Sequence, residues 1–116
     1  MATTLLPDQN VTVTAGGSAS FDVDLQTVDG EAPDCTGFLA RYVATRVATE
    51  TVHIDKDLSS GLSWVSASRL RVTLTADDLP ATLGGLNLLH EVVVYDTLGN
   101  PAQAMRGALI VRKSYV

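Results

Sequence analysis

Only three residues in the chain are suited to thiol catalysis or soft-metal binding: Cys35, His53 and His90. Zinc sites usually include a pair of ligands about two to four residues apart, and these three residues are far from one another in the sequence. Cys35 lies in a turn-rich segment, whereas the two histidines lie in different predicted strands. A cleft that placed Cys35 within hydrogen-bond reach of either histidine would indicate an enzyme. Because the spacing indicates no such pairing, we expect a non-enzymatic protein with no metal and no cofactor.

Two pairs of aspartates are the other candidates for chemistry, because paired carboxylates bind calcium or act as acid and base. Asp22 and Asp24 alternate along one predicted strand, and Asp78 directly follows Asp77. The chain contains no Asp-x-Asp-x-Asp-Gly calcium loop. We therefore interpret the first pair as the solvated face of a strand. The second pair follows Thr75, which is expected to cap a short helical corner whose first turn favours carboxylates.

The composition is that of one acidic domain. The chain has 116 residues, of which 46% are hydrophobic and 18% charged, and its formal net charge is −5. Nucleic-acid binding depends on clustered Lys and Arg side chains, so no nucleic-acid partner is expected. The single cysteine excludes an internal disulfide and favours an intracellular or virion context. No apolar stretch approaches the ~20 residues of a membrane span, and the N-terminus is unlike a signal peptide, so no membrane association is expected.

Alternation of apolar and polar residues is typical of strands with one buried face. Arg69–Thr75 alternates without interruption, and Ser20–Gln26 does so with Phe21, Val23 and Leu25 inward. Such runs recur along the chain with turn residues between them and without a long helix. This pattern predicts an all-β, antiparallel β-sandwich of seven or eight strands, with one short helical turn near 76–83. We expect an N-terminal arm at 1–10, the sandwich domain at 11–113 and a C-terminal tail at 114–116.

One segment, 38–54, fits two interpretations. Five of its apolar residues would share one face of a helix: Phe38, Leu39, Tyr42, Val43 and Val47. Its content of Val, Thr and Tyr and the strands on both sides favour two strands instead. We predict these strands at about 38–47 and 49–55.

The outward positions of three predicted strands are unusually apolar. Inward positions in these strands are Phe38, Ala40, Tyr42, Leu88, His90, Val92, Val94, Gly107, Leu109 and Val111. If the strands share a sheet, as C, F and G do in immunoglobulin-like sandwiches, their outward residues form a surface that we call the outer patch: Leu39, Val43, Leu89, Val93, Tyr95 and Ile110. Arg41 and Glu91 are expected to pair across strands within it. A patch of this size indicates either a protein interface or cover by the arm or another strand of the same chain.

Several turn and strand motifs support a more specific hypothesis. In the second half they are Leu74-Thr75-Ala76-Asp77-Asp78, a corner ending at Gly84-Gly85, Val92-Val93-Val94-Tyr95-Asp96-x-x-Gly99, and Arg106-Gly107-x-Leu109-x-Val111. In the first half they are the strand from Gly17 to Leu25 and Asp34-Cys35-Thr36-Gly37-Phe38. Over residues 11–112 the chain resembles a family of small immunoglobulin-like proteins of tailed bacteriophages, similar to the N-terminal domain of baseplate upper proteins. It departs from that family at His90-Glu91, where the family has Tyr-Asp.

The resemblance implies an immunoglobulin-like fold and a structural role in a virion, and it carries over no catalytic residues. We therefore expect a component of a tailed-phage virion, made in the host cytoplasm: a capsid decoration, neck, tail or baseplate accessory protein. It would be a homo-oligomer or a multi-copy subunit that contacts other virion proteins and copies of itself. The alternative is an adhesion module that binds carbohydrate or a cell surface through Trp64. An exposed Trp64 would favour that alternative, and a buried Trp64 would count against it.

Overall fold

A computed structural model describes residues 9–26 and 29–114 of the chain. Residues 1–8 of the predicted arm and 115–116 of the predicted tail lie outside the described residues. The described part is built of β1 (Val11–Thr14), β2 (Ala19–Asp24), β3 (Leu39–Arg46), β4 (Thr51–Asp57), β5 (Leu62–Ser66), β6 (Arg69–Leu74), β7 (Asn87–Tyr95) and β8 (Pro101–Arg112), with a 3₁₀ turn at Ala81–Leu83. This arrangement of eight strands confirms the predicted all-β sandwich of seven or eight strands with one short helical turn.

The strands form two sheets, one of five strands and one of three. The larger sheet has the order β1-β8-β7-β3-β4, and the smaller has the order β2-β6-β5. All neighbouring strands are antiparallel except β1, which runs parallel to β8. The three strands with apolar outward positions, β3, β7 and β8, are therefore neighbours in one sheet, as the sequence analysis required.

The core lies between the two sheets and follows the period-2 pattern. In the ambiguous segment, Ala40, Tyr42 and Ala44 are buried, whereas Leu39 and Arg41 are exposed. This alternation belongs to a strand, so the prediction of two strands over 38–54 is confirmed. The helical alternative fails because both edges of β3 are hydrogen-bonded, one to β4 and the other to β7.

Two boundaries differ from the sequence prediction. β4 continues to Asp57, beyond the predicted end at about 55, and β8 begins at Pro101, whereas the apolar run that indicates this strand in the sequence begins at Ala104. The β8 difference has a physical cause, a bulge opposite Val92 and Val93 that places Ala104 and Met105 inward one after the other. The bulge interrupts the alternation at this point, and the strand signal in the sequence is lost there.

An ion pair joins the two halves of the sandwich. Lys56 Nζ on β4 lies 2.6 Å from Asp78 Oδ1, in the turn that follows β6, and both side chains are mostly buried. The other carboxylate oxygen of Asp78 accepts hydrogen bonds from the Thr75 backbone N–H and hydroxyl. We expected the Thr75 side chain to accept a hydrogen bond as the cap of the corner. That expectation is wrong, because the Asp78 carboxylate is the acceptor and Thr75 is the donor. Burial acts to raise the pKa of Asp78, but the bonds from Lys56 and Thr75 prevail and lower it.

We expect Asp78→Ala to lower the free energy of unfolding by about 2 kcal/mol, because it leaves the mostly buried Lys56 ammonium without its partner. Chemical denaturation at pH 7 measures the change. Asp77→Ala is the matched control, since Asp77 is exposed and its loss should change the stability by less than about 0.5 kcal/mol. Equal effects of the two substitutions would contradict the assignment of this ion pair.

Candidate interaction surface

The outward side of the five-stranded sheet, which we call the outer face, carries all six residues of the outer patch. Leu39 is 62% exposed, and the other five residues are half-buried. The register places Leu39 opposite Tyr95, and Leu89 between Thr45 and Ala108. The sequence prediction that these side chains share one surface therefore agrees with the strand order and the burial of their neighbours.

Cross-strand rows describe how apolar and charged groups are distributed on the outer face. Three rows cross β4, β3, β7 and β8 in that order: Val52-Thr45-Leu89-Ala108, Asp55-Val43-Glu91-Arg106, and Asp57-Arg41-Val93-Gln103. A fourth row, Leu39-Tyr95-Pro101, lies at the end of the sheet. The middle of the face is mostly apolar. Carboxylates lie at its β4 side and a guanidinium lies at its β8 side, with Arg41 and Glu91 between them.

The predicted pair between Arg41 and Glu91 does not form. Arg41 lies opposite Val93 in the register, and its Nε donates to Asp55 Oδ1 at 2.8 Å. Glu91 Oε2 instead accepts a hydrogen bond from Gln103 Nε2 at 2.6 Å. The bond from Arg41 lowers the pKa of Asp55 and raises that of Arg41. The prediction was wrong because it omitted β4, which brings a carboxylate alongside β3.

The outward side of the three-stranded sheet has a different character. Asp22 lies opposite Arg71 and Asp24 opposite Arg69, with Nε to Oδ1 distances of 2.9 and 2.6 Å. The arginine bond lowers the pKa of Asp22. These aspartates are the solvated strand face that the sequence predicted, and each is satisfied by an arginine. The two outward surfaces of the sandwich thus differ, since one is charged and internally paired and the other is largely apolar.

The described end of the predicted arm lies beside β8 and leaves the outer patch partly exposed. Gln9 N donates to the carbonyl of Arg106 at 2.8 Å, and Asn10 Oδ1 accepts from the backbone N–H of Ala108 at 2.9 Å. Gly107, between these two contacts, has no room for a Cβ atom because the Gln9 backbone occupies that position. Within residues 9–26 and 29–114, therefore, the patch keeps solvent-accessible side chains on every strand that forms it.

The three residues suited to thiol or metal chemistry occupy separate environments. Cys35 is buried, and burial together with nearby Asp34 raises the pKa of its thiol, which disfavours the reactive thiolate. His53 is exposed on β4, and His90 is buried on β7. No cluster of His, Cys, Asp and Glu in the described part of the chain could hold a metal ion.

His90 is the centre of a buried hydrogen-bond chain that the sequence analysis missed. Its Nε2 lies 2.8 Å from the carbonyl oxygen of Gln9, and its Nδ1 lies 2.9 Å from the hydroxyl of Tyr42. A carbonyl can only accept, so Nε2 carries the proton and Nδ1 accepts from the Tyr42 hydroxyl. Phe21 completes the cluster, with its ring centroid 5.7 Å from that of His90. The inward position of His90 in an apolar strand was the available signal, but its partners lie 48 and 81 residues away.

Trp64, the candidate sugar-binding platform, is half-buried on β5. Its indole Nε1 donates to the carbonyl of Phe38 at 3.1 Å. The ring borders a shallow depression beside Cys35 and Gly37. Because its N–H is already bonded and its ring packs against the core, Trp64 acts here as a link between β5 and the segment before β3.

Among the residues that the structure describes, no helix is long and apolar enough to cross a bilayer. Comparison with protein-family models gives no match, and comparison with curated proteins gives none either.

Proposed function

We propose that the protein is a non-enzymatic structural subunit that acts through protein–protein contacts made by its outer face. On the strength of the motif resemblance, we propose that its assembly is a tailed-phage virion, where it serves as a capsid decoration, neck, tail or baseplate accessory protein. Its partners would be other virion proteins and further copies of itself. This role requires no metal, cofactor, nucleic acid or membrane.

The observation that carries the proposal is the difference between the two outward surfaces. Burial of apolar side chains is the main favourable term in protein association, and the outer patch offers six such side chains on three neighbouring strands. The opposite surface has its charges paired within the chain. A partner would therefore gain more by covering the outer face than by covering the three-stranded sheet.

Val93→Asp tests whether the outer face is a docking surface or part of the core. Val93 is half-buried and lies opposite Arg41 and Gln103, so a carboxylate there should lower the free energy of unfolding by only about 1 kcal/mol. Val92→Asp is the matched control, because Val92 is fully buried and an unpaired carboxylate in the core should prevent folding. Thermal unfolding of both variants measures the difference, and loss of the fold in Val93→Asp would identify the patch as core.

The virion role is tested in a phage that encodes the chain. Purified wild-type particles should contain the protein at a fixed stoichiometry, measured by quantitative mass spectrometry. Particles made with Val93→Asp should lack it, although the variant is folded and present in the infected cell. Incorporation of Val93→Asp at the wild-type level would contradict docking through the outer face, and absence of the wild-type protein from the particle would contradict the virion role.

A further inference from the structure

The two sides of the outer face carry charges of opposite sign, whereas the charged side chains between them, Arg41 and Glu91, are bonded to Asp55 and Gln103. Asp55 and Asp57 lie on β4, at one edge of the sheet, whereas Arg106 lies on β8 across β3 and β7. One row, Asp55-Val43-Glu91-Arg106, has opposite charges at its two ends. A partner that covers this face must therefore present positive charge near β4 and negative charge near β8.

The two ends of this row still have capacity for partners. Within the described residues, the Arg106 side chain is exposed and forms no ion pair. Its cross-strand neighbour Glu91 is bonded to Gln103 instead. Asp55 is bonded to Arg41 but remains 46% exposed, and a carboxylate has about four acceptor positions. A second guanidinium can therefore reach Asp55.

The chain itself has the required complementary pattern. We infer that the occupant of the outer face is a second copy of this chain. The two copies are related by a two-fold axis that lies at their interface, parallel to the strands and over the gap between β7 and β3. Rotation about that axis places β8 of one copy over β4 of the other. Each row then faces the same row of the other copy, with its residues in reversed order. Arg106 of each copy therefore faces Asp55 of its partner. The same rotation places the apolar Tyr95 of each copy over Leu39 of the other.

The other face-to-face two-fold arrangement is disfavoured by charge. An axis perpendicular to the strands would stack β4 on β4 and β8 on β8, so that Asp55 and Asp57 would meet the same carboxylates. Like charges placed together at an interface are unfavourable. The charge pattern therefore selects the arrangement with β8 over β4 and β7 over β3, in which the facing strands are antiparallel and their axes lie within the roughly 30° rotation usual for packed sheets.

The size of the face sets the expected strength of association. The widths of the four overlapping strands and the nine residues of β7 give a footprint of roughly 19 by 30 Å. Both copies together would bury on the order of 1,200 Å², the lower limit for specific interfaces. We therefore expect a weak dimer, with a dissociation constant on the order of micromolar, that weakens further as salt is added.

Sedimentation velocity at low salt, from about 10 to about 500 μM protein, tests the dimer in this affinity range. Arg106→Glu should weaken dimerisation at least about tenfold, because a carboxylate would then face Asp55 of the partner. Asp55→Arg should weaken it in the same way. Arg46→Glu is the control with the same change of charge, since Arg46 lies at the end of β3, outside the two rows that carry charge, and it should dimerise like the wild type.

An equimolar mixture of Arg106→Glu and Asp55→Arg is the decisive measurement. In the mixed dimer, the new carboxylate of one chain faces the new guanidinium of the other, and the unchanged Asp55 and Arg106 face each other. The mixture should therefore recover wild-type association, although each variant alone associates at least about tenfold more weakly. Failure of the mixture to associate, or wild-type dimerisation by either single variant, would overturn the proposed two-fold arrangement.

This inference rests on the proposed function, but the two fail differently. A wild-type chain that stays monomeric up to about 500 μM, well above a micromolar dissociation constant, would overturn the second copy as the occupant. If Val93→Asp were still excluded from particles in that case, the outer face would remain a docking surface for a different virion protein. Incorporation of Val93→Asp at the wild-type level would instead overturn the docking function of the face.

Discussion

Gly107→Ala is expected to lower the free energy of unfolding by about 3 kcal/mol, because its Cβ would overlap the backbone of Gln9. Gln9 must then move away from β8 and lose the bond from its N–H to the Arg106 carbonyl. Its own carbonyl would also leave His90 Nε2, and a buried donor without a partner costs about 1–3 kcal/mol. Chemical denaturation at pH 7 measures the loss, with circular dichroism confirming that the variant still folds.

Gln9→Ala separates this explanation from a general effect of changes near the arm. It removes the side chain and its long 3.3 Å bond to the Asp22 carbonyl, but it keeps both backbone contacts of residue 9. We expect a loss below about 1 kcal/mol for this variant. If Gly107→Ala were as mild as Gln9→Ala, the close approach of Gln9 to β8 would not contribute to stability as described.

The second large effect is a loss of stability in mild acid caused by His90. Burial lowers the pKa of His90, against the opposing effect of its bond to the Gln9 carbonyl. In the unfolded chain the same group titrates near its ordinary value of about 6.5. As the pH falls through that value, the unfolded state binds a proton that the folded state excludes. The free energy of unfolding should therefore decrease by up to about 1.4 kcal/mol per pH unit from about pH 6.5 down to the lowered pKa of His90.

Two variants assign this slope to His90. His90→Gln replaces the imidazole with an amide that can donate to the Gln9 carbonyl and accept from Tyr42, so it should remove the pH dependence above about pH 5 while retaining the fold. His53→Gln should keep the wild-type profile, because His53 is exposed. Denaturation curves between pH 5 and pH 8 provide the test. A slope that survives in His90→Gln would exclude His90 as its source.

The aspartates act in a different pH range. The pKa values of Asp22, Asp55 and Asp78 are lowered by hydrogen bonds from arginine or lysine and, for Asp78, from Thr75. Their contribution to stability is present above the unfolded-state value near 4 and is lost as the pH falls through the lowered values. The window assigned to His90 therefore lies above the range in which the carboxylates titrate.

Most of the fold could be predicted because it depends on a local pattern. Successive side chains of a strand point to opposite faces, so alternation assigns inward and outward positions without reference to other strands. Leu88, His90, Val92 and Val94 were predicted inward and are buried. The strand boundary at Pro101 was missed because the bulge that includes Ala104 interrupts the same pattern. Local rules succeed where the pairing is regular and fail at bulges.

The members of the outer patch could be predicted, but their charged neighbours could not. Alternation placed Leu89 and Val93 outward, and the structure places them together on the outer face. The expected partner of Arg41 was wrong because a row depends on which strands are adjacent and on their register. Asp55 reaches Arg41 only because β4 pairs with β3. The row that ends at Asp55 and Arg106 could therefore not be predicted from the sequence.

For this protein, the sequence by itself determined the fold class and the direction in which each strand side chain points. It also indicated one apolar surface, since these properties follow from spacing within single segments. The tertiary structure alone decided which groups meet: Asp55 with Arg41, His90 with Tyr42 and with the carbonyl of Gln9. These pairs join positions between 14 and 81 residues apart. Such contacts depend on how the strands are ordered and aligned across the sheet, and no local period in the sequence encodes that order.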